Sequence, residues 1–258
     1  MTGLEDDACD VLRKARFGLG RSVDEVARSA GMESGRLQEI EAGAEASVGE
    51  LERLARVLSL RVAPLLAIAT GRYQPPPASQ RFGAWTVTPV FAEDVGAYCY
   101  AVTSGVARFA VDAGGGAGRI RDALGGPPEA VLLTHGHRDH IAALGEFSAP
   151  ALAHPDLARE VGGRPLADGE DALSLRALYC PGHSADMLTF AGPGFAFVGD
   201  TLFAGSLGRA VSPGRYAALI GSAKRILALP KETVLFCGHG PATTVASELE
   251  HNAFPIDS

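Results

Sequence analysis

A hydrophobic run, Ala130-Val-Leu-Leu-Thr134, leads directly into His135-Gly-His-Arg-Asp-His140. Extended backbone points side chains two residues apart in the same direction, so His135 and His137 can converge on one ion, and Gly136 places no side chain between them. As the chain turns, Asp139 and His140 face a second position. Three further donors stand where other apolar runs end: His183 after Tyr179-Cys-Pro-Gly182, Asp200 after Phe197-Val-Gly199, and His239 after Phe236-Cys-Gly238. Each follows a glycine, which lets backbone come close to a site. Any one of them alone would read as a polar residue at a loop end; the weight lies in the set. Five of the seven histidines fall in these segments, whereas His154 and His251 stand outside them and read as surface or internally satisfied residues. Nitrogen and oxygen donors of this kind suit zinc, and also iron or manganese, at a hydrolytic centre.

Such residues need strands that end near one another. Short runs rich in β-branched and aromatic residues, Ala84–Phe91, Ala97–Thr103, Ala107–Val111, Ala130–Thr134, Phe195–Val198 and Thr233–Cys237, predict strands, with helices over Gly118–Leu124 and Tyr216–Leu229. That is a mixed α/β (α+β) pattern. The first 70 residues differ: Val23, Val26, Ala27 and Ala30, then Leu51, Leu54, Ala55 and Leu58, recur at helical spacing with no strand alternation. Between the two regions, residues 71–81 contain three successive prolines, which remove backbone donors and hold the chain extended. A semi-rigid linker is therefore expected between two separate cores, an all-α unit over 8–70 and a larger one over 82–258. A chain beginning near Gln80 would then keep its metals and activity.

The 258 residues, 47% hydrophobic and 21% charged, suffice for this organisation. The net charge of −7 is spread over both parts, with 9 Lys/Arg against 12 Asp/Glu in residues 1–70 and 14 against 18 in residues 71–258. Neither has the basic excess typical of a nucleic-acid binder. No run approaches the roughly 18 apolar residues of a membrane helix, and Met1–Asp10 is acidic where a signal peptide would be basic and then apolar. A cytoplasmic protein without a membrane partner is expected. Cys9, Cys99, Cys180 and Cys237 lie far apart with no CxxC pair, which predicts reduced, mostly buried thiols.

The segments THGHRDH, PGH, GDTLF and CGHG resemble the metallo-β-lactamase superfamily across residues 82–258. The resemblance implies an αββα sandwich with two divalent metals at one edge, most simply zinc. It implies that His135, His137 and His183 hold one ion, that Asp139, His140 and His239 hold the other, and that Asp200 bridges them, with Asp139 and Asp200 as the catalytic carboxylates. Residues 199–209, residues 238–244 and Asn252-Ala-Phe254 are similar to the type II glyoxalase branch, whose members hydrolyse thioesters. A metal-bridged hydroxide would be the nucleophile. No separate general acid stands out, and a thiolate leaving group, with a conjugate-acid pKa of about 8.5, scarcely needs one. Departures from that branch touch the pocket: Ala210-Val211 stands where relatives have Thr-Asp, and Ser184-Ala-Asp186 where a Thr and a Gly are common. The sequence also lacks the terminal helical extension that type II glyoxalases use to hold glutathione, so a thioester in general is expected before a glutathione thioester. A persulfide dioxygenase-like iron enzyme shares much of the same scaffold and is the alternative activity.

The first part resembles the phage repressor and Cro family over some 55 residues: Leu12-Arg-Lys-Ala-Arg16, Ser22 to Gly31 and Leu37 to Gly43 follow at helix-turn-helix spacing. Ser22 with Glu25 forms a capping box and Gly31 suits the turn. The resemblance implies a recognition helix beginning near Ser34, with Ser34, Gly35, Arg36, Gln38 and Glu39 toward a DNA major groove, in a homodimer reading two half-sites. Glu33, Glu39 and Glu41 crowd that helix, so dimerisation or a degenerate remnant stands beside sequence-specific DNA binding for this part; for the whole chain, a transcriptional regulator whose second domain senses a ligand is a further alternative.

Overall fold

The computed structural model describes residues 3–105 and 107–256. Met1, and Ser258 at the end of the larger expected unit, lie outside them. Five helices come first: α1 (Ala8–Gly18), α2 (Val23–Ala30), α3 (Ser34–Glu41), α4 (Val48–Val57) and α5 (Val62–Ala69). Their ends are written locally. Ser22 accepts from the Glu25 amide while Glu25 reaches back to the Ser22 amide, which closes the expected capping box, and Gly31 ends α2 at φ 63°, a left-handed conformation that suits glycine. Ser47 and Glu50 form a second box on α4 that the sequence reading did not single out.

The rest of the chain builds two sheets. One has seven strands in chain order: β1 (Arg81–Phe82), β2 (Trp85–Ala92), β3 (Ala97–Thr103), β4 (Arg108–Val111), β5 (Val131–Leu132), β6 (Ala151–Ala153) and β7 (Arg164–Pro165). The other contains β8 (Asp171–Ala172), β9 (Leu175–Tyr179), β10 (Leu188–Gly192), β11 (Phe195–Gly199), β14 (Val234–Cys237) and β15 (Thr243–Thr244), in the order β15-β14-β11-β10-β9-β8. A short hairpin, β12 (Leu202–Phe203) and β13 (Ser206–Leu207), stands apart. Helices α6 (Ala117–Leu124), α7 (Arg138–Ile141), α8 (Pro155–Val161) and α9 (Tyr216–Leu227) lie between strands, and α10 (Val245–His251) follows the last of them.

Alternation along the strands sorts the layers. On β3, Tyr100 and Val102 join a core between the sheets with Phe190, Phe195, Phe197 and Phe236. Cys99 and Ala101 face the other way, into a core under α6 and α8 with Ile120 and Leu157. On β11, Ala196 and Val198 turn away from the phenylalanines, into a third core with α9, α10 and the helical segment. The result is helices, sheet, sheet, helices, the expected αββα sandwich. Strands β6, β9 and β10 go beyond the sequence reading: Ala151–Ala153 is too short to show alternation, whereas β9 and β10 do end at turn residues, Pro181-Gly182 and Gly192-Pro-Gly194.

One expectation is corrected here. The helical segment does not form a core of its own. Leu12, Leu58, Leu65 and Ile68 belong to the same buried cluster as Leu202, Phe203, Leu207, Leu219, Phe254 and Ile256. Residues 72–79 have no regular secondary structure, as prolines dictate, yet Tyr73 among them is buried. Its hydroxyl donates to Glu248 at 2.8 Å and its ring stacks 5.2 Å from that of His251. Arg61 adds hydrogen bonds to the Leu249 and Asn252 carbonyls at 3.1 and 3.0 Å. An apolar face that continues from one segment onto the next makes one core, whatever the stiffness of the connection between them.

Candidate metal centre

The ligand candidates sit where strands stop. His135, His137, Asp139 and His140 follow β5, His183 follows β9, Asp200 follows β11 and His239 follows β14. Parallel pairing of β11 with β14 brings the last two together. The approach is close: a side chain at Gly238 would collide with the Asp200 carboxylate.

All seven residues meet. Ligand atoms of His135, His137 and His183 lie within 4.8 Å of one another, as do those of Asp139, His140 and His239, and those of His135, His140 and Asp200. His135 Nε2 and His183 Nε2 are 3.1 and 2.9 Å from His137 Nδ1. On the other side, His239 Nε2 is 3.2 Å from Asp139 and 3.4 Å from Asp200 Oδ2. His140 Nε2 is 3.4 Å from Asp200 Oδ1, and His183 Nε2 is 3.5 Å from Oδ2. Asp200 thus presents oxygen to both halves.

Hydrogen bonds at the back of each ring decide which nitrogen faces inward. Nδ1 of His183 donates to the Arg209 carbonyl and Nδ1 of His239 to the Gly96 carbonyl, each at 2.9 Å. Nδ1 of His140 donates to Asp112 at 2.8 Å, and Nδ1 of His135 to the Thr134 hydroxyl at 3.0 Å. Lone pairs therefore converge on the interior, and among the described buried atoms His140 Nε2 and Asp200 Oδ1 have no hydrogen-bond partner. Facing lone pairs and orphaned buried atoms fit a cation; the donor set fits two.

Electrostatics separate the halves. Burial holds His135 well below its ordinary pKa, and burial lowers His183 to about 4, so both are neutral and ready to ligate at pH 7. At His239 burial is outweighed by the hydrogen bond and charge of Asp200, which raise it to about 9. His140 is likewise raised against burial by Asp112 and Asp200. Burial would raise Asp200, but the His140 and His239 rings that face it, positively charged when protonated, hold it well below the carboxylate range. Without metal, protons supply part of the positive charge that Asp200 requires.

Asp112 was missed from sequence. It ends β4 at φ 59°, is buried, accepts from the Thr134 amide and hydroxyl at 2.7 and 2.8 Å, and orients His140. A lone aspartate after a buried strand was its only signal. Asp112→Asn should weaken the ion nearest His140 by about 10–100-fold; chelator competition with zinc measures this, and unchanged affinity would refute the role. His154, in contrast, accepts from the Asp156 amide at the start of α8 and stacks on Tyr179, 5.0 Å between centroids. His154→Ala is expected to leave metal content unchanged by elemental analysis; loss of an ion would redraw the site.

A sequence model of the metallo-beta-lactamase superfamily matches residues 92–176 and 153–239, together more than half of the chain. The chain belongs to the metallo-beta-lactamase superfamily. Its sandwich is similar to a solved structure of TTHA1623 in a di-iron-bound form, with 32% identity and a TM-score of 0.57 over 64% of this chain and 98% of that one. The BLEG-1 B3 metallo-beta-lactamase is 27% identical with the same TM-score, over 65% of this chain and 98% of that one. Proteins named hydroxyacylglutathione hydrolase are homologues: that of Aeromonas hydrophila is 37% identical over 43% of this chain and 47% of its own length. That of Xanthomonas campestris pv. campestris is 32% identical over 60% and 64%. The chain thus spans about half to two thirds of these curated relatives. The structure of ETHE1 from Myxococcus xanthus, 22% identical with TM-score 0.57 over 64% of this chain and 82% of that one, shares the fold. The family match lies within the sandwich, and no helix of the described residues is long and apolar enough to cross a membrane.

Proposed function

We propose that this chain is a binuclear metal-dependent hydrolase acting on thioesters, with His135, His137 and His183 holding one ion, Asp139, His140 and His239 the other, and Asp200 shared between them. The observation that carries this reading is the pair of Asp200 oxygens, one 3.4 Å from His140 and the other within 3.5 Å of His183 and His239. Two divalent ions bound there supply Lewis acidity and a nucleophile at neutral pH. Asp139, a third exposed, is the carboxylate that meets incoming water and accepts its proton. A thioester substrate is supported by the homologues named hydroxyacylglutathione hydrolase and by the ease with which a thiolate departs.

Elemental analysis of protein purified without added metal, paired with hydrolysis of S-lactoylglutathione and of a lactoyl thioester of a neutral thiol, tests this. Two ions per chain and hydrolysis of either ester support it. One iron per chain with oxygen uptake on a persulfide and no hydrolysis replaces it with the dioxygenase reading.

For the helical segment we favour a structural role over the recognition of DNA. Of the candidate base contacts, Ser34 donates to Asp24, and Arg36 is held by Glu50 at 2.7 Å and Glu39 at 3.3 Å, while Gly35 and Gln38 are exposed. The segment also carries net negative charge, opposed to phosphate. Gel-shift against the upstream region of its own gene, at low and high salt, decides; a sequence-specific complex would restore the repressor-like reading and its homodimer.

A further inference from the structure

The segment that precedes the sandwich reaches its metal centre at one place. Asp6, just before α1, is 5% exposed and accepts from the Ser206 hydroxyl. Lys14, on α1, donates to Asp6 at 2.6 Å and to the Leu207 carbonyl at 2.9 Å. Both partners on the sandwich belong to the β12–β13 hairpin, which begins two residues after Asp200. The Lys14 ammonium also lies 4.7 Å over the ring of Phe203 in that hairpin, and Phe203 meets the His239 ring edge-to-face at 5.8 Å. Beside them Glu5 packs against Gly240, the residue after His239.

We propose that Lys14 and Asp6 are positioning residues of the metal centre, holding the β12–β13 hairpin so that Asp200 and His239 keep their places. Three features favour this over a general role in docking the helices. The pair is nearly buried, and the hydrogen bonds of both side chains go to one another and to hairpin atoms. These bonds are to the hairpin and not to α10, which anchors another part of the helical segment through Arg61 and Tyr73. Finally, a chain of contacts runs from Lys14 through Phe203 to His239. The Arg209 carbonyl that holds His183 lies two residues beyond Leu207, whose carbonyl Lys14 binds, so the same loop reaches the other half of the cluster. Loss of the pair should therefore weaken metal binding at the centre as a whole.

This rests on the binuclear reading of the cluster but not on the identity of the substrate. The test uses the full-length chain with Lys14→Met, the double variant Asp6→Asn/Lys14→Met, which leaves no unpaired buried charge, and Arg61→Met as a control for loosened docking elsewhere. Zinc affinity is measured by chelator competition, and amide hydrogen exchange is followed at residues 202–209 in metal-free protein. Expected are zinc bound about tenfold more weakly, as for other groups that orient ligands from behind, and faster exchange in the hairpin, both in the double variant and neither in Arg61→Met. Unchanged hairpin exchange with wild-type zinc affinity overturns the proposal, as does faster hairpin exchange with unchanged zinc affinity, or an equal loss in Arg61→Met. Should the wild type bind no zinc, the binuclear reading falls, and hairpin exchange still decides whether Lys14 and Asp6 hold this loop.

Discussion

Replacing Asp200 by alanine is expected to remove both ions and to lower hydrolysis by about a thousandfold or more. Its Oδ2 lies within 3.5 Å of His183 and His239 and its Oδ1 3.4 Å from His140, so this one carboxylate faces both groups of histidines. Asp200 is 5% exposed, and its buried charge is what balances the positive centre. Asp200→Asn keeps the shape and removes that charge, and it should lose nearly as much metal; this separates electrostatics from packing. Elemental analysis and turnover on the same preparations give the answer. Two ions at wild-type affinity in the alanine variant would dispose of the bridging role.

Removing residues 1–79 is the second large effect, and the expected outcome reverses the one that the proline run suggests. The truncated chain should be aggregated or only partly folded. Phe203, Leu207 and Phe254 are buried in the cluster that contains α1 and α5. Uncovering these three alone, at roughly 2 kcal/mol each, forfeits about 6 kcal/mol, comparable to the whole stability of many domains, ~5–15 kcal/mol. Glu248 would suffer too: it is fully buried, and one of its donors is the Tyr73 hydroxyl. Circular dichroism, thermal melts and size-exclusion chromatography of a chain starting at Gln80 are the measurements. A monomeric truncated protein with a cooperative melt near that of the full chain, and with its metals, would mean that the two cores are separable after all.

The sequence alone determined the ligand candidates and most of the strands that carry them. Donor types at the ends of apolar runs are a local signal, because strand geometry sends alternate side chains one way and glycine admits close backbone; His135, His137, His183, Asp200 and His239 could be read on that basis. The capping box at Ser22 and the helix start at Ser34 were legible for the same reason, since a cap involves residues three apart. What the tertiary structure decided involves partners far apart in the chain. Asp112 stands 28 residues from His140, and only the parallel pairing of β4 with β5 places its carboxylate behind that ring. Tyr73 looked like linker until Glu248, 175 residues on, received its hydroxyl. Nothing in the sequence singles out Asp6 and Lys14, and it is the fold that lays them on a hairpin some 200 residues away. Prolines report the local stiffness of a connection; they carry no information on whether apolar faces at its two ends will meet, which the burial of those faces settles when the whole chain collapses.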